Sequence, residues 1–156
     1  MKKTRLNLAT AFSWASIALY VTYALFLILD VSVLGLTMSL VGTDGWEAVG
    51  VVLVFLFALI FSFPAGILII IFTAIDLGAF SKARAGKITK KKFLAGRIVF
   101  AVLKCVALAG AAFVLILCLT GELWLWAGPL ALAMAATLAS TVFGLFAVKS
   151  LPCAEN

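Results

Sequence analysis

Three cations, Lys90, Arg97 and Lys104, recur at seven-residue spacing in the segment SKARAGKITKKKFLAGRIVFAVLK, and the last lies well inside an apolar run. Seven residues are close to two helical turns, so a helix carries all three on one face. An ionisable side chain inside a membrane-length apolar segment is a candidate site by default, because lipid offers no water to hold its charge. Asp76, in TAIDLGAF, is the natural partner: it lies about 6 Å inside the end of its own apolar segment, level with Arg97 and within reach of Lys104. Opposite charges at matched depth on adjacent helices pair. The trio Asp76, Arg97 and Lys104 is therefore either an ion-pair latch between helices or a path for protons or ions. A relay calls for a second buried carboxylate, and none is in sight, which favours the latch.

The depth of Lys104 decides what else it can do. Counted from Phe93 it lies about 16 Å deep, near the midplane; counted back from Thr120 it lies about 24 Å from that boundary, hence about 6 Å from the other. The second register allows a lysine to snorkel to the headgroups. The sequence leaves open whether Lys104 faces lipid or the bundle.

No other chemistry is legible. There is no histidine, which removes the commonest general base and the usual haem, zinc and copper ligands, and no metal or cofactor is expected. Cys105, Cys118 and Cys153 show no metal or redox spacing, and the ending Cys-Ala-Glu-Asn places Glu155 where a prenylation box needs an aliphatic residue. No nucleophile elbow, phosphate loop or zinc-protease motif occurs. The expectation is a protein without a catalytic site.

The elements that must position the charges are membrane helices. With 66% hydrophobic and 12% charged residues and a mean hydropathy of +1.29, the chain lies far from soluble composition. Four apolar segments, about 9–30, 48–80, 93–119 and 123–148, are each long enough to cross a hydrocarbon core of about 30 Å. The first follows a basic start like a signal peptide, but it is too long for one and no small-residue cleavage site precedes Asp30. The stretch from Val31 to Glu47, with Gly35, Gly42 and Gly45, is expected to be a connection. The second segment is overlong, and Pro64, which cannot donate to Ile60, predicts a kink near Ser62 to Gly66.

Charge sets the orientation. Lys2, Lys3 and Arg5, then Lys82, Arg84, Lys87, Lys90, Lys91 and Lys92, then Lys149 all fall on one side, whereas the other connections hold Asp44, Glu47 and Glu122. The positive-inside rule predicts both termini in the cytoplasm and an up-down-up-down bundle, with Trp14 at the inner interface and Trp46, Trp124 and Trp126 at the outer one. The inner cations contact anionic lipids or a partner. The net charge of +6 is thereby accounted for without nucleic acid.

Small residues predict the packing. Ala136, Ser140 and Gly144 share one face of the fourth span, Ala131, Ala135 and Ala139 another, and Ala107, Gly110 and Ala111 make a similar surface on the third. Such faces let helices approach closely in lipid. The third and fourth spans are expected to form a tight hairpin. Taken together, these features describe a single membrane domain, whose short basic start and compact loops suit a bacterial inner membrane. Two functions fit: a non-enzymatic subunit, regulator or immunity-type partner of another membrane protein, or a small homo-oligomeric transporter or channel using Asp76, Arg97 and Lys104.

Overall fold

A computed structural model describes the backbone of residues 2–41, 46–120 and 124–148, and within them the side chains of 5–29, 49–50, 52–53, 56–120 and 127–148. Nearly all of these residues are helical. The elements are α1 (Lys2–Val41), α2 (Trp46–Phe57), a π-helical segment (Ala58–Ser62), α3 (Phe63–Arg84), α4 (Lys90–Thr120) and α5 (Trp124–Val148). Four stretches, Arg5–Leu29, Ala58–Arg84, Lys90–Thr120 and Ala127–Val148, are long and apolar enough to cross a membrane. Expectations placed on the side chains of Asp30, Asp44, Trp46, Glu47, Glu122, Trp124, Trp126, Lys149 and Cys153 lie outside the described residues.

One boundary differs from expectation. The stretch after Asp30, expected to be a connection, continues as helix to Val41. It contains no proline, and its single glycine, Gly35, costs about 1 kcal/mol, too little to stop an established helix. The following helix begins at Trp46 and runs without a break through the π segment to Arg84. At 1.5 Å per residue the two are each close to 60 Å long, about twice a hydrocarbon core.

The π segment lies directly before Pro64. The Phe63 N–H donates to Ala58 O, five residues back, which is the π pattern. Pro64 has no N–H for the α ladder and its ring crowds the carbonyl four residues back; the wider turn absorbs that mismatch.

The helices form a ring in which α1 packs on α3, α3 on α4, α4 on α5 and α5 on α1, the last pair having the most extensive contact. Neighbours run antiparallel, as the paired residues show: Arg84 reaches Asn7 while Ser62 meets Tyr23, and Ser13 meets Ser140 while Ser16 meets Thr137. The α3–α4 turn is closed by Gly86, whose φ of +67° is the left-handed conformation that favours glycine. Gly86 N–H bonds to Ala83 O and Lys87 N–H to Lys82 O, a Schellman arrangement that satisfies carbonyls at the end of α3.

Burial follows a three-four alternation. On α1 the buried residues are Leu6, Ala9, Ser13, Ser16, Tyr20, Tyr23 and Leu27; on α4 they include Phe93, Arg97, Lys104, Ala107, Ala111, Val114 and Cys118. This heptad spacing is the seam of helices crossing at shallow angles. Along the bundle the interior divides into three layers. Leu6, Ala9, Phe80, Ala83, Phe93, Ala147 and Val148 form an apolar cluster at the end that carries the α3–α4 turn. Tyr20, Tyr23, Ile69, Leu108, Val114, Leu130 and their neighbours form a larger one beyond. Between them lie buried Ser13, Ser16, Thr73, Asp76, Arg97, Lys104, Thr137, Ser140 and Thr141.

The hydroxyls of this middle layer join α1 to α5. Ser13 donates to Ala9 O, so in its 2.7 Å contact with Ser140 it accepts. Thr137 likewise donates to Ala133 O and accepts from Ser16 at 2.7 Å. Interhelical hydrogen bonds in lipid average about 0.6 kcal/mol in double-mutant cycles. The cycle Ser16→Ala with Thr137→Val should therefore give a coupling of about that size, measured by unfolding the chain in mixed micelles of increasing SDS fraction.

Candidate functional site

Asp76, Arg97 and Lys104 meet in the middle layer. Asp76 projects from α3, one turn before Phe80; Arg97 and Lys104 project from α4 two turns apart, on its core-facing seam. All three are at least 97% buried. Lys104 Nζ donates to Asp76 Oδ2, and Arg97 Nη1 lies 2.8 Å from the same oxygen. Lys104 thus faces the bundle, with only 1% of its surface exposed, and does not snorkel along lipid.

The guanidinium is held on three further sides. Its carbon lies 4.8 Å from the centre of the Phe80 ring, a cation–π distance. Nη2 approaches the carbonyls of Ser140 and Thr141 on α5, at 3.4 Å each. Gly144 supplies the room: a methyl group there would overlap the guanidinium, with Nε at 3.0 Å and Cζ and Nη2 closer. Gly144, expected to be a helix-packing residue, therefore serves to seat an arginine and not a neighbouring backbone. One carboxylate on α3 holds two charged side chains of α4, and a glycine on α5 makes room for one of them.

Satisfaction of the cluster is incomplete. Asp76 Oδ1, Arg97 Nε and Thr73 Oγ1 are buried and make no hydrogen bond among the described residues, and the N–H groups of Arg97 Nη1 are poorly aligned on the carboxylate that they touch. With all three groups ionised, one carboxylate faces two cations, leaving an excess of one positive charge.

The other expected residues fall as follows. Ala136 and Ser140 are buried, Ser140 against α1 and Arg97. Gly110 is half-buried against Phe61 and Ala65 of the neighbouring helix, where an added methyl would make ordinary contacts at 3.8 and 3.9 Å. The face bearing Ala131 and Ala135 points outward, and Trp14 is exposed on the bundle surface. Of the basic residues, Lys82, Arg84, Lys87, Lys91 and Lys92 are exposed and Lys90 is half-buried. Arg84 is drawn to α1, donating to Asn7 Oδ1 at 2.8 Å and Thr10 Oγ1 at 3.1 Å. Among the described residues no group of histidine, cysteine and carboxylate side chains is arranged to hold a metal.

The polar seam of α1 was missed at the level of sequence. Its signal was present in Ser13, Ser16, Tyr20 and Tyr23, four polar side chains spaced three and four apart in an otherwise apolar segment. Tyr23 Oη accepts from Ser62 at 2.8 Å, beside the π turn.

Comparison with protein-family models, with curated proteins and with solved structures found no match to this chain.

Two substitutions probe the cluster. Removing one partner of a buried ion pair costs about 3–5 kcal/mol, so Asp76→Asn, which strands two cations, should destabilise by about that amount. Lys104→Met should cost less, because it leaves Asp76 and Arg97 paired one to one. Gly144→Ala should cost about 1–3 kcal/mol by overpacking in the native background, and little when Arg97 is replaced by Met. SDS-titrated unfolding of the single and double variants reads both effects.

Proposed function

We propose that this chain is a non-enzymatic membrane protein that acts as a subunit, regulator or immunity-type partner of another membrane protein. In this proposal it sits in a bacterial cytoplasmic membrane, both termini and the α3–α4 turn face the cytoplasm, and the helix around Pro64 is kinked. The observation that supports it is the use made of the three charged residues. Asp76, Arg97 and Lys104 take one another as partners, with apolar clusters above and below them. Such an arrangement fastens α3, α4 and α5 together. A transport path would need those charges free to exchange partners with a passing ion.

The face available to a partner is then an outward one. Ser140 and Gly144 are occupied inside the bundle by Ser13 and Arg97, whereas the small residues Ala131 and Ala135 remain exposed on α5. A flat face of small side chains lets a foreign helix approach closely.

A second function, a small homo-oligomeric transporter or channel, is favoured by one observation: a cavity opens toward Asp76 and Arg97 from beside the α3–α4 turn. One experiment separates the two. The tagged chain, cross-linked in its native membrane and purified in mild detergent, should carry a stoichiometric second protein, and Ala131→Leu with Ala135→Leu should release it, while Lys104→Met should not. Recovery of a lone homo-oligomer that passes ions or solutes in liposomes, with flux abolished by Lys104→Met, would overturn the partner function in favour of transport.

A further inference from the structure

The cavity beside the α3–α4 turn has a volume of about 270 Å³, room for several times the roughly 30 Å³ that a water occupies in the liquid. Its chemistry is lopsided. Lys87 and Lys92 stand at its rim with Thr89, and Arg97 lies at its base beside Asp76. Arg97 is 97% buried, yet its Nε makes no hydrogen bond and its Nη1 is only partly engaged. Asp76 Oδ1, at the same place, is an acceptor without a donor. Arg97 and Asp76 line the cavity while their unpartnered atoms lie covered just behind its wall, so the base of the cavity is polar and lacks partners within the bundle.

Electrostatics gives the sign of that ligand. With all three groups ionised the cluster carries one positive charge in excess, and Lys87 and Lys92 add two more. The first turn of α4 is Lys90, Lys91 and Lys92, with no acidic residue. Helix N-termini carry about half a positive charge and attract anions, so three lysines there are held against the field of their own helix. Among the described residues no carboxylate other than Asp76 lines the cavity. The field is met if an anion enters from outside the chain.

We propose that this cavity binds a phosphate ester. Its anionic oxygens would accept from Lys87 and Lys92, with the buried charge of Arg97 behind them. Lysines are suited to phosphate as mobile charges at the mouth, and Arg97 adds a fixed positive charge at the base. Two sources share this chemistry: the headgroup of an anionic glycerophospholipid in the surrounding leaflet, and a soluble phosphate ester from the aqueous side. The site does not depend on whether the bundle serves a partner or transports a solute.

The test uses the full chain in nanodiscs. Wild type is placed in phosphatidylcholine, in phosphatidylcholine with phosphatidylglycerol, and in phosphatidylcholine with glycerol 3-phosphate added to the buffer, and retained ligand is counted by native mass spectrometry. Two variants of equal net charge are compared: Lys87→Gln with Lys92→Gln, inside the cavity, and Lys82→Gln with Lys91→Gln, exposed and outside it. One phosphate ester per chain should be retained by wild type and by the outside variant, and retention by the cavity variant should fall at least about tenfold, the ratio that about 1.4 kcal/mol produces. Retention of phosphatidylglycerol alone assigns the site to lipid, and retention of glycerol 3-phosphate in phosphatidylcholine assigns it to a soluble ester. If neither is retained, or if both variants lose it equally, the cavity is not a phosphate site and the charge acts only as a diffuse surface field. Circular dichroism of each variant in the same nanodiscs identifies loss of fold; were the cavity pair to unfold, Lys92→Gln alone carries the comparison.

Discussion

A single carboxylate oxygen, Asp76 Oδ2, is shared by two cations, and all three side chains are almost wholly buried within the bundle. Much of the bundle's geometry follows from that sharing. Neither Arg97 nor Lys104 can turn away without leaving a bare charge in an apolar medium, and Asp76 cannot follow both if α3 slides or rotates against α4. The guanidinium then occupies volume that any side chain on α5 would need, which explains a glycine at 144. Hydroxyls on the same level carry the constraint on to α1 through Ser13 and Ser140. The polar layer thus specifies which helix lies beside which, and in what register. Buried ionic groups add little net stability but can discriminate strongly among alternative packings, and the apolar clusters on either side supply close packing without such discrimination.

Much of this was legible in the sequence. Heptad spacing put Arg97 and Lys104 on one face, and counting residues from the segment ends brought Asp76 to their level, because helical rise is nearly constant. Which way that face pointed was not legible, since an apolar helix in lipid is greasy all round and its surface and core differ little in hydropathy. Gly144 illustrates the same difficulty: small-residue spacing marked it as a place of close approach, but nothing local to it could reveal that the approaching group belongs to Arg97, 47 residues away. The seam of α1 was obscured for a different reason, as serine and tyrosine are ordinary residues in a membrane helix and only their three-four rhythm sets these apart. The extension of α1 past Asp30 was missed because glycines were weighed as loop signals where the absence of proline mattered more.

The basic turn shows how two requirements meet in few residues. Gly86 adopts a positive φ to reverse the chain, and three successive lysines open the helix that follows. Their concentration at the start of α4 nonetheless has a local cost, for it opposes the helix dipole at its most positive point. Within the folded bundle that stress falls beside Arg97, so the basic turn and the ion cluster share one electrostatic environment.

The π turn at Ala58–Ser62 has a consequence for handedness and phase. A π turn accommodates one residue more than the α ladder would, so everything before it is rotated by about 100° relative to an uninterrupted helix. Ala58 and Ser62 are both fully buried, as are Ile69 and Thr73 below them, while Phe57, just before the segment, and Phe61, within it, meet Phe113 of α4 edge-on. The segment therefore works as a phase shifter. It lets one continuous helix keep Ala58 and Ser62 buried above the seam of Ile69 and Thr73, a change of azimuth obtained without a loop.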